Sequence, residues 1–383
     1  MTQVLAKYGW DDQKVKGFRA ALLDWYDQNK RDLPWRRTRN PYYIWISEII
    51  LQQTQVATVI PYFERFIKAL PTIEALANVD EQELLLLWQG LGYYSRARNL
   101  KVAAQQIMEH HQGQMPQTMP ELLKLKGIGP YTAAAIGSMA FDLVEPAIDG
   151  NLLRVTARIF ELDADISKPS SRKIFAEILY ELIDPERPGD FNQAMMDLGA
   201  TVMTPTNYYP EDSPVKAYDQ SFINETAALY PVKKKKIKNT KHQMLAYRIQ
   251  DLKGSVLYRQ HTADELLTGL WHYPIFEYDI VLDSATEDEL LTPLEDYFKQ
   301  LGLGALKLKL MMNPSQMIVA LPKVKHVFSH RTWNLQVVPV QLEDDLQALI
   351  AGSLGLTTTA SDQEHPISTL QQKLQARWEG VNR

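Results

Sequence analysis

Leu125-Lys126-Gly127-Ile128-Gly129-Pro130-Tyr131-Thr132-Ala133 is the stretch on which the reading of this chain turns. It lies between two segments whose apolar residues recur three and four apart, and Pro130 stands where a second helix opens. The pattern is that of a helix–hairpin–helix. Gly127 and Gly129 let the backbone approach a phosphate, and the N-terminus of the following helix adds the positive end of its dipole. Lys126, Gly127 and Gly129 are therefore candidate DNA-backbone contacts, which grip without reading sequence. A plain corner between two helices uses the same residues and stays open at this point. A dinucleotide fingerprint is rejected, because no strand precedes the glycines and Thr132 holds the place of its third glycine.

Outward from the hairpin, the helical periodicity runs from about residue 12 to 230, as in DEQELLLLWQGLGYYSRARNLKVAAQQIMEHH at 80–111. Beyond Lys233, Lys234, Lys235, Lys236, Lys238 and Lys241 the texture changes to short β-branched and aromatic runs: GSVLYRQH, QMIVALPKVKHVFSH and WNLQVVPVQL. Helical patterns recur near 285–301 and 362–379. The 383 residues exceed what one core usually holds. A multidomain chain is expected: an all-α helical region over 1–230, a basic linker over 231–242, and a smaller α+β domain over 243–383. Like charges in a row repel and stay solvated, which suits a linker and is compatible with a DNA contact.

Composition narrows the chemistry. Hydrophobic residues at 45% and charged residues at 23% fit a folded globular chain. Cysteine is absent, which removes disulfides, thiolate metal sites and cysteine nucleophiles. The opening MTQVLAKYGWDDQKVK has no apolar signal core, and no stretch approaches the ~20 apolar residues that span a bilayer, so a cytoplasmic, nucleoid-associated protein without membrane contact is expected. The net charge of −5 speaks mildly against a polyanion partner, but RDLPWRRTRN at 31–40 holds four arginines against one aspartate.

Two carboxylates stand out. Asp149, in EPAIDGNLLRV, heads a helix and reads first as an N-cap, whose backbone N–H bonds would keep it ionised. Glu48, in YIWISEIILQQTQ, has Ile44, Trp45 and Leu51 at helical spacing, so it rides an apolar stripe and is either buried or lining a pocket. Desolvation would raise its pKa and make it a proton donor. Two carboxylates with separated pKa values suit glycosidic-bond cleavage, one protonating the leaving group and the other facing the oxocarbenium ion.

Taken together, LPWRRTRNPYYIWISEIILQQTQV, WQGLGYYSRARNL, LKGIGPYTAAAIGSMAF, PAIDGNLLRVTARIF and FNQAMMDLGATVMTP resemble the adenine DNA glycosylase (MutY) family of the helix–hairpin–helix glycosylase superfamily. The similarity runs in order over roughly residues 15–230, and GLWHYP and HVFSHRTWNLQV resemble that family's C-terminal domain, a Nudix-like fold that recognises 8-oxoguanine. The resemblance implies base-excision repair of adenine mispaired with 8-oxoguanine or guanine in double-stranded DNA, by a monomeric enzyme. It makes Glu48 the acid at adenine N7 and Asp149 the group that stabilises or traps C1′, with Tyr131 and Asn151 beside them. Trp35, Arg36 and Gln193 match the adenine pocket, Leu51, Gln53 and Tyr93 match residues that wedge into the duplex, and Phe328, Ser329 and His330 match the 8-oxoguanine loop.

The departure from the family lies at 203–219, where most members place four cysteines around a [4Fe–4S] cluster. Met203, Pro210, Ser213 and Asp219 occupy those places. No cofactor is expected, with an ion held by hairpin carbonyls left open, and the loop is expected to keep its course by packing and hydrogen bonds. Glu109-His110-His111 reads as a solvated helix end rather than a metal site. No Arg-Glu and Glu-Glu cluster follows Gly269, so Nudix hydrolysis is not expected. An endonuclease III-like lyase needs an amine, and this chain has Tyr131 where that relative has lysine. A non-catalytic DNA-binding module would have no use for both Glu48 and Asp149.

Overall fold

The computed structural model describes residues 3–380 apart from 207, 209, 235–238, 263, 280, 304, 305, 329, 352–354 and 359–364. The chain divides into two compact units, one of Met1–Val79 with Arg98–Lys235 and one of Asp80–Ala97 with Lys236–Arg383. The sequence reading kept 80–97 inside an uninterrupted helical region. The structure ties it to the second unit through hydrogen bonds that sequence spacing does not display: Tyr94 Oη to the Ile367 carbonyl at 3.3 Å, Ile367 N–H to Gln89 Oε1 at 3.0 Å, and Trp271 Nε1 to Gln82 Oε1 at 3.3 Å.

Among its described residues the first unit is helical. Asp11 accepts from Lys14 N at 2.7 Å and starts the helix Asp12–Asn29, whose Val15, Phe18, Leu22 and Tyr26 fall on one face and are buried. Phe18 and Leu22 join Leu152, Phe175, Ile178 and Phe191 in one apolar core. Burying each such side chain contributes about 1.5–3 kcal/mol before entropy is counted. Two helices central to the site approach closely at Gly189, where an added Cβ would lie 2.8 Å from the Ser138 carbonyl oxygen. Asn192, fully buried, cross-links the same region by donating to Ser138 Oγ and the Glu145 carbonyl, each at 2.9 Å, while accepting from Ala147 N–H at 2.9 Å. That bracing fixes the segment leading to Asp149.

The second unit carries the strands β1 (Thr240–Asp251), β2 (Tyr258–Gln260), β3 (Trp271–His272), β4 (Ile275–Glu277), β5 (Leu308–Leu310), β6 (Val324–Val327), β7 (Arg331–Leu342) and β8 (Leu356–Thr357). β1 and β7 pair in parallel over twelve residues, from Thr240 opposite Arg331 to Asp251 opposite Leu342, in a sheet ordered β4-β1-β7-β5 with β6 also on β7. A second sheet is ordered β3-β2-β8. Helices Glu287–Gln300 and Thr369–Glu379 match the two expected helical patterns. QMIVALP, read as extended, begins instead inside the helix Pro314–Ala320, because Asn313 and Gln316 form a reciprocal capping box with Pro314 at the first position. Of the linker lysines, Lys235, Lys236 and Lys238 lie outside the described residues, and Lys241 already belongs to β1. No described helix is long and apolar enough to cross a membrane.

Candidate active site

Glu48 sits on the helix Pro41–Leu51, capped by Asn40, in a row of buried residues from Ile44 to Ile50. Only 4% of it is exposed. Tyr131, at the start of the helix Pro130–Phe141, donates its hydroxyl to Glu48 Oε2. Burial pushes the Glu48 carboxyl up to about 7; the Tyr131 hydrogen bond pulls it down, Asp149 raises it and Arg36 lowers it. Burial also drives the Tyr131 phenol far above its ordinary value, so Tyr131 is a donor and not a base.

Asp149 caps the helix Gly150–Ile159 by accepting from Asn151 N–H and Leu152 N–H, each at 2.8 Å, and Asn151 Nδ2 donates to its other oxygen at 2.7 Å. The capping reading of Asp149 therefore holds. The sequence reading has the cap keeping Asp149 ionised. Its hydrogen bonds from Leu152 and Asn151 and the Arg154 charge do favour the anion, but burial is the larger effect and raises the Asp149 pKa above its usual value. Asn151 is fixed in turn by Arg154, whose Nη2 donates to Asn151 Oδ1 and to the Gly199 carbonyl, each at 2.7 Å. Gly199 leaves room for Asn151, since a Cβ there would come 2.7 Å from the Asn151 Cβ.

Glu48, Tyr131, Asp149 and Asn151 line one cavity of about 930 Å³, together with Trp35, Arg36, Leu51, Gln53 and Gln193. The buried Trp35 indole meets Phe63 edge-on at 5.4 Å. Arg36 is engaged bidentately by Asp197, at 2.7 and 3.0 Å, and these bonds hold its charge against burial. Arg31 Nε reaches the same carboxylate at 2.7 Å. Gln193 Oε1 is buried with no hydrogen-bond partner among the described residues, an acceptor left for something entering the cavity. Gln53 adopts φ of 61°, a left-handed conformation uncommon outside glycine, at the cavity's edge.

Other candidates lie elsewhere. Tyr93, 48% exposed and also left-handed at φ 48°, belongs to the second unit. Lys126, Gly127 and Gly129 form the hairpin and do not line the cavity; Gly127 has φ of 78° and Gly129 precedes Pro130 as an N-cap without a side-chain acceptor. Phe328 and His330 are at the tip between β6 and β7, with Phe328 packed edge-on against His326 and Trp333 at 4.5 and 4.8 Å. Ser329 lies outside the described residues. Asp197, Arg31, Asn192 and Arg154 were missed from sequence. Asp197 alone had a visible signal, an acid one turn beyond Gln193 within an apolar helix.

The profile of the HhH-GPD superfamily base excision DNA repair proteins matches residues 46–181. Adenine DNA glycosylase of Schizosaccharomyces pombe is 31% identical over 330 residues, 71% of this chain and 72% of that protein. This chain belongs to the adenine DNA glycosylase family. Mouse adenine DNA glycosylase is 44% identical over 232 residues, 57% of this chain but 45% of the relative, so the chain spans less than half the length of that protein. Among solved structures, a thermostable thymine-DNA glycosylase is similar with a TM-score of 0.51 and 27% identity, covering 56% of this chain and 98% of that one.

The family's iron–sulfur cluster does not fit this chain. Pro210 has no donor atom, Met203 is fully buried, and Ser213 is buried in the loop. Asp219 is already committed: it caps the helix Gln220–Ile223, accepts from Ser221 Oγ at 2.8 Å and from the Tyr208 hydroxyl. The Arg158 guanidinium stacks 4.3 Å from the Tyr208 ring centroid and donates to the Thr204 carbonyl at 3.1 Å. Arg154 Nε holds the Met203 carbonyl at 2.8 Å. Met203 and Asp219, at two of the positions where the resemblance places cysteines, instead belong to a polar and aromatic knot.

Proposed function

We propose that this chain is a monofunctional DNA glycosylase that extrudes adenine, mispaired with 8-oxoguanine or guanine, from duplex DNA and hydrolyses its N-glycosidic bond. The observation that carries the reading is the buried Glu48, pushed up to about 7 and paired with Tyr131, in the same cavity as Asp149 and the unpartnered Gln193 acceptor. Glu48 would give its proton to adenine N7, so the electron pair of the C1′–N9 bond can leave with the base. Asp149 would stabilise or trap the cationic C1′ until water adds there and releases a proton. Gln193 Oε1 offers an acceptor to the adenine amine, with Trp35 and Arg36 lining the same pocket. Leu51, Gln53 and Tyr93 would fill the gap in the duplex, offsetting an unstacking cost of a few kcal/mol.

Tyr131 stands where a lyase would need lysine and is occupied with Glu48, which favours hydrolysis without a Schiff base. The second unit would be the Nudix-like domain that recognises 8-oxoguanine through Phe328, Ser329 and His330, and the protein would act as a monomer without an iron–sulfur cluster. Single-turnover assay on an adenine:8-oxoguanine duplex tests this: strand scission should require alkali. Scission without alkali would assign a lyase, and no adenine release would end the proposal.

A further inference from the structure

A groove of about 640 Å³ on the second unit is lined by Lys323, Lys325, Lys373 and Arg377, and among the described residues no carboxylate lines it. Lys325 is on β6, while Lys373 and Arg377 are four apart on the helix Thr369–Glu379 and so share one face. All four are exposed, and among the described residues none is within ion-pair distance of an acid. In a chain of net charge −5, four uncompensated cations around one groove make a local positive field. Apolar residues of the groove, Val319 and Pro322 among them, give it walls that focus this field.

The position is informative. β6 leads directly into the tip that carries Phe328 and His330, and Lys325 precedes Phe328 by three residues, about 10 Å of strand. Along one DNA strand successive nucleotides advance about 3.4 Å, so about 10 Å corresponds to about three of them. We propose that this groove holds the phosphate backbone of the strand carrying the base opposite adenine, about three nucleotides from the lesion loop. The inference rests on the proposed function for its partner and adds a sequence-independent clamp to it. Lysine and arginine here neutralise phosphates and release counter-ions, whatever the base.

The test uses the full chain, with Lys325→Ala, Lys373→Ala and Arg377→Ala combined, and short duplexes containing adenine:8-oxoguanine, adenine:guanine or no mismatch. Binding measured over a range of salt should lose about 2–3 units of slope in log K against log salt on all three duplexes. The single-turnover excision rate at saturating protein should stay unchanged. A charge-retaining set, Lys325→Arg, Lys373→Arg and Arg377→Lys, should keep the wild-type slope. Should the triple alanine variant be unstable, Lys373→Glu alone should lower the slope by about one unit or more. An unchanged slope in a chain that excises adenine would remove the groove from the DNA and leave the proposed function standing, as expected of a site for an acidic protein. A loss confined to 8-oxoguanine duplexes would also overturn the clamp, since it would make the groove a base reader. Wild-type protein that binds these duplexes but releases no adenine would refute the function, while the difference in salt slope between it and the triple alanine variant would still decide the groove.

Discussion

At the residue scale the question is the state of one buried carboxyl. If Glu48 is the acid, the rate must fall about tenfold per pH unit once pH passes about 7, and Glu48→Gln should lose at least ~10²-fold of excision while retaining duplex binding. A variant with more than about a tenth of the rate would end the assignment. Tyr131 lowers the Glu48 pKa by hydrogen bonding to its anion, so Tyr131→Phe should move the alkaline limb of the rate profile to higher pH. An unmoved limb would mean that another group titrates. Stability carries the same signature. A carboxyl raised from 4.5 to about 7 contributes stability that is fully present below 4.5 and lost as pH rises through about 7. Glu48→Gln cannot ionise, so near pH 8 it should be more stable than wild type, by at most about 3 kcal/mol, and the difference should vanish in acid. Denaturant melts at several pH values would show this.

At the element scale the hairpin separates conformation from contact. Gly127 has φ of 78°, and a Cβ there would lie 2.7 Å from the Asn99 Cβ. Gly127→Ala should therefore cost about 1–3 kcal/mol of stability as well as DNA affinity. Gly129 has ordinary extended backbone and open space where a Cβ would go. Gly129→Ala should melt like wild type yet bind duplex more weakly, because only an approaching phosphate meets the added methyl. Equal affinity would place the phosphate elsewhere. The loop at 203–219 makes a different prediction. Asp219→Ala removes a helix cap and the acceptor for Tyr208 and Ser221, so it should cost about 2–4 kcal/mol, whereas exhaustive chelation of the wild type should change neither its melting nor its activity. Activity restored by iron after chelation would contradict this account of the loop.

At the scale of the whole molecule, the proposed function assigns bond cleavage to the first unit and lesion choice to the second. Replacing both Ser329 and His330 by alanine should reduce the preference for 8-oxoguanine over guanine by about 1–3 kcal/mol per lost contact. The single-turnover rate on adenine:guanine should be preserved, and a preserved ratio would remove the loop from recognition. Truncation near residue 230 is a poorer test than it looks from sequence, because Gln82, Gln89 and Tyr94 have their hydrogen-bond partners at Trp271 and Ile367.

Much of this was legible without coordinates, for reasons that are local. The hairpin shows in two glycines and a proline, because backbone freedom and a missing N–H are properties of single residues. Glu48 shows because an acid on an apolar helical stripe conflicts with its neighbours, and Asp149 because capping is decided within three residues. That no thiolate of this chain can hold a cluster follows from the absence of cysteine alone. What the chain did not show locally came from residues far apart in sequence. Asp197 meets Arg31 and Arg36 across more than 150 positions, and Glu48 meets Tyr131 across 83. The direction of the Asp149 shift depended on how deeply the fold buries it, which no spacing encodes. The cations at Lys325, Lys373 and Arg377 share a groove because β6 and the helix Thr369–Glu379 pack together. Local chemistry therefore named the groups that could react, while burial and long-range pairing, which exist only after the chain has closed on itself, set their charge and their company.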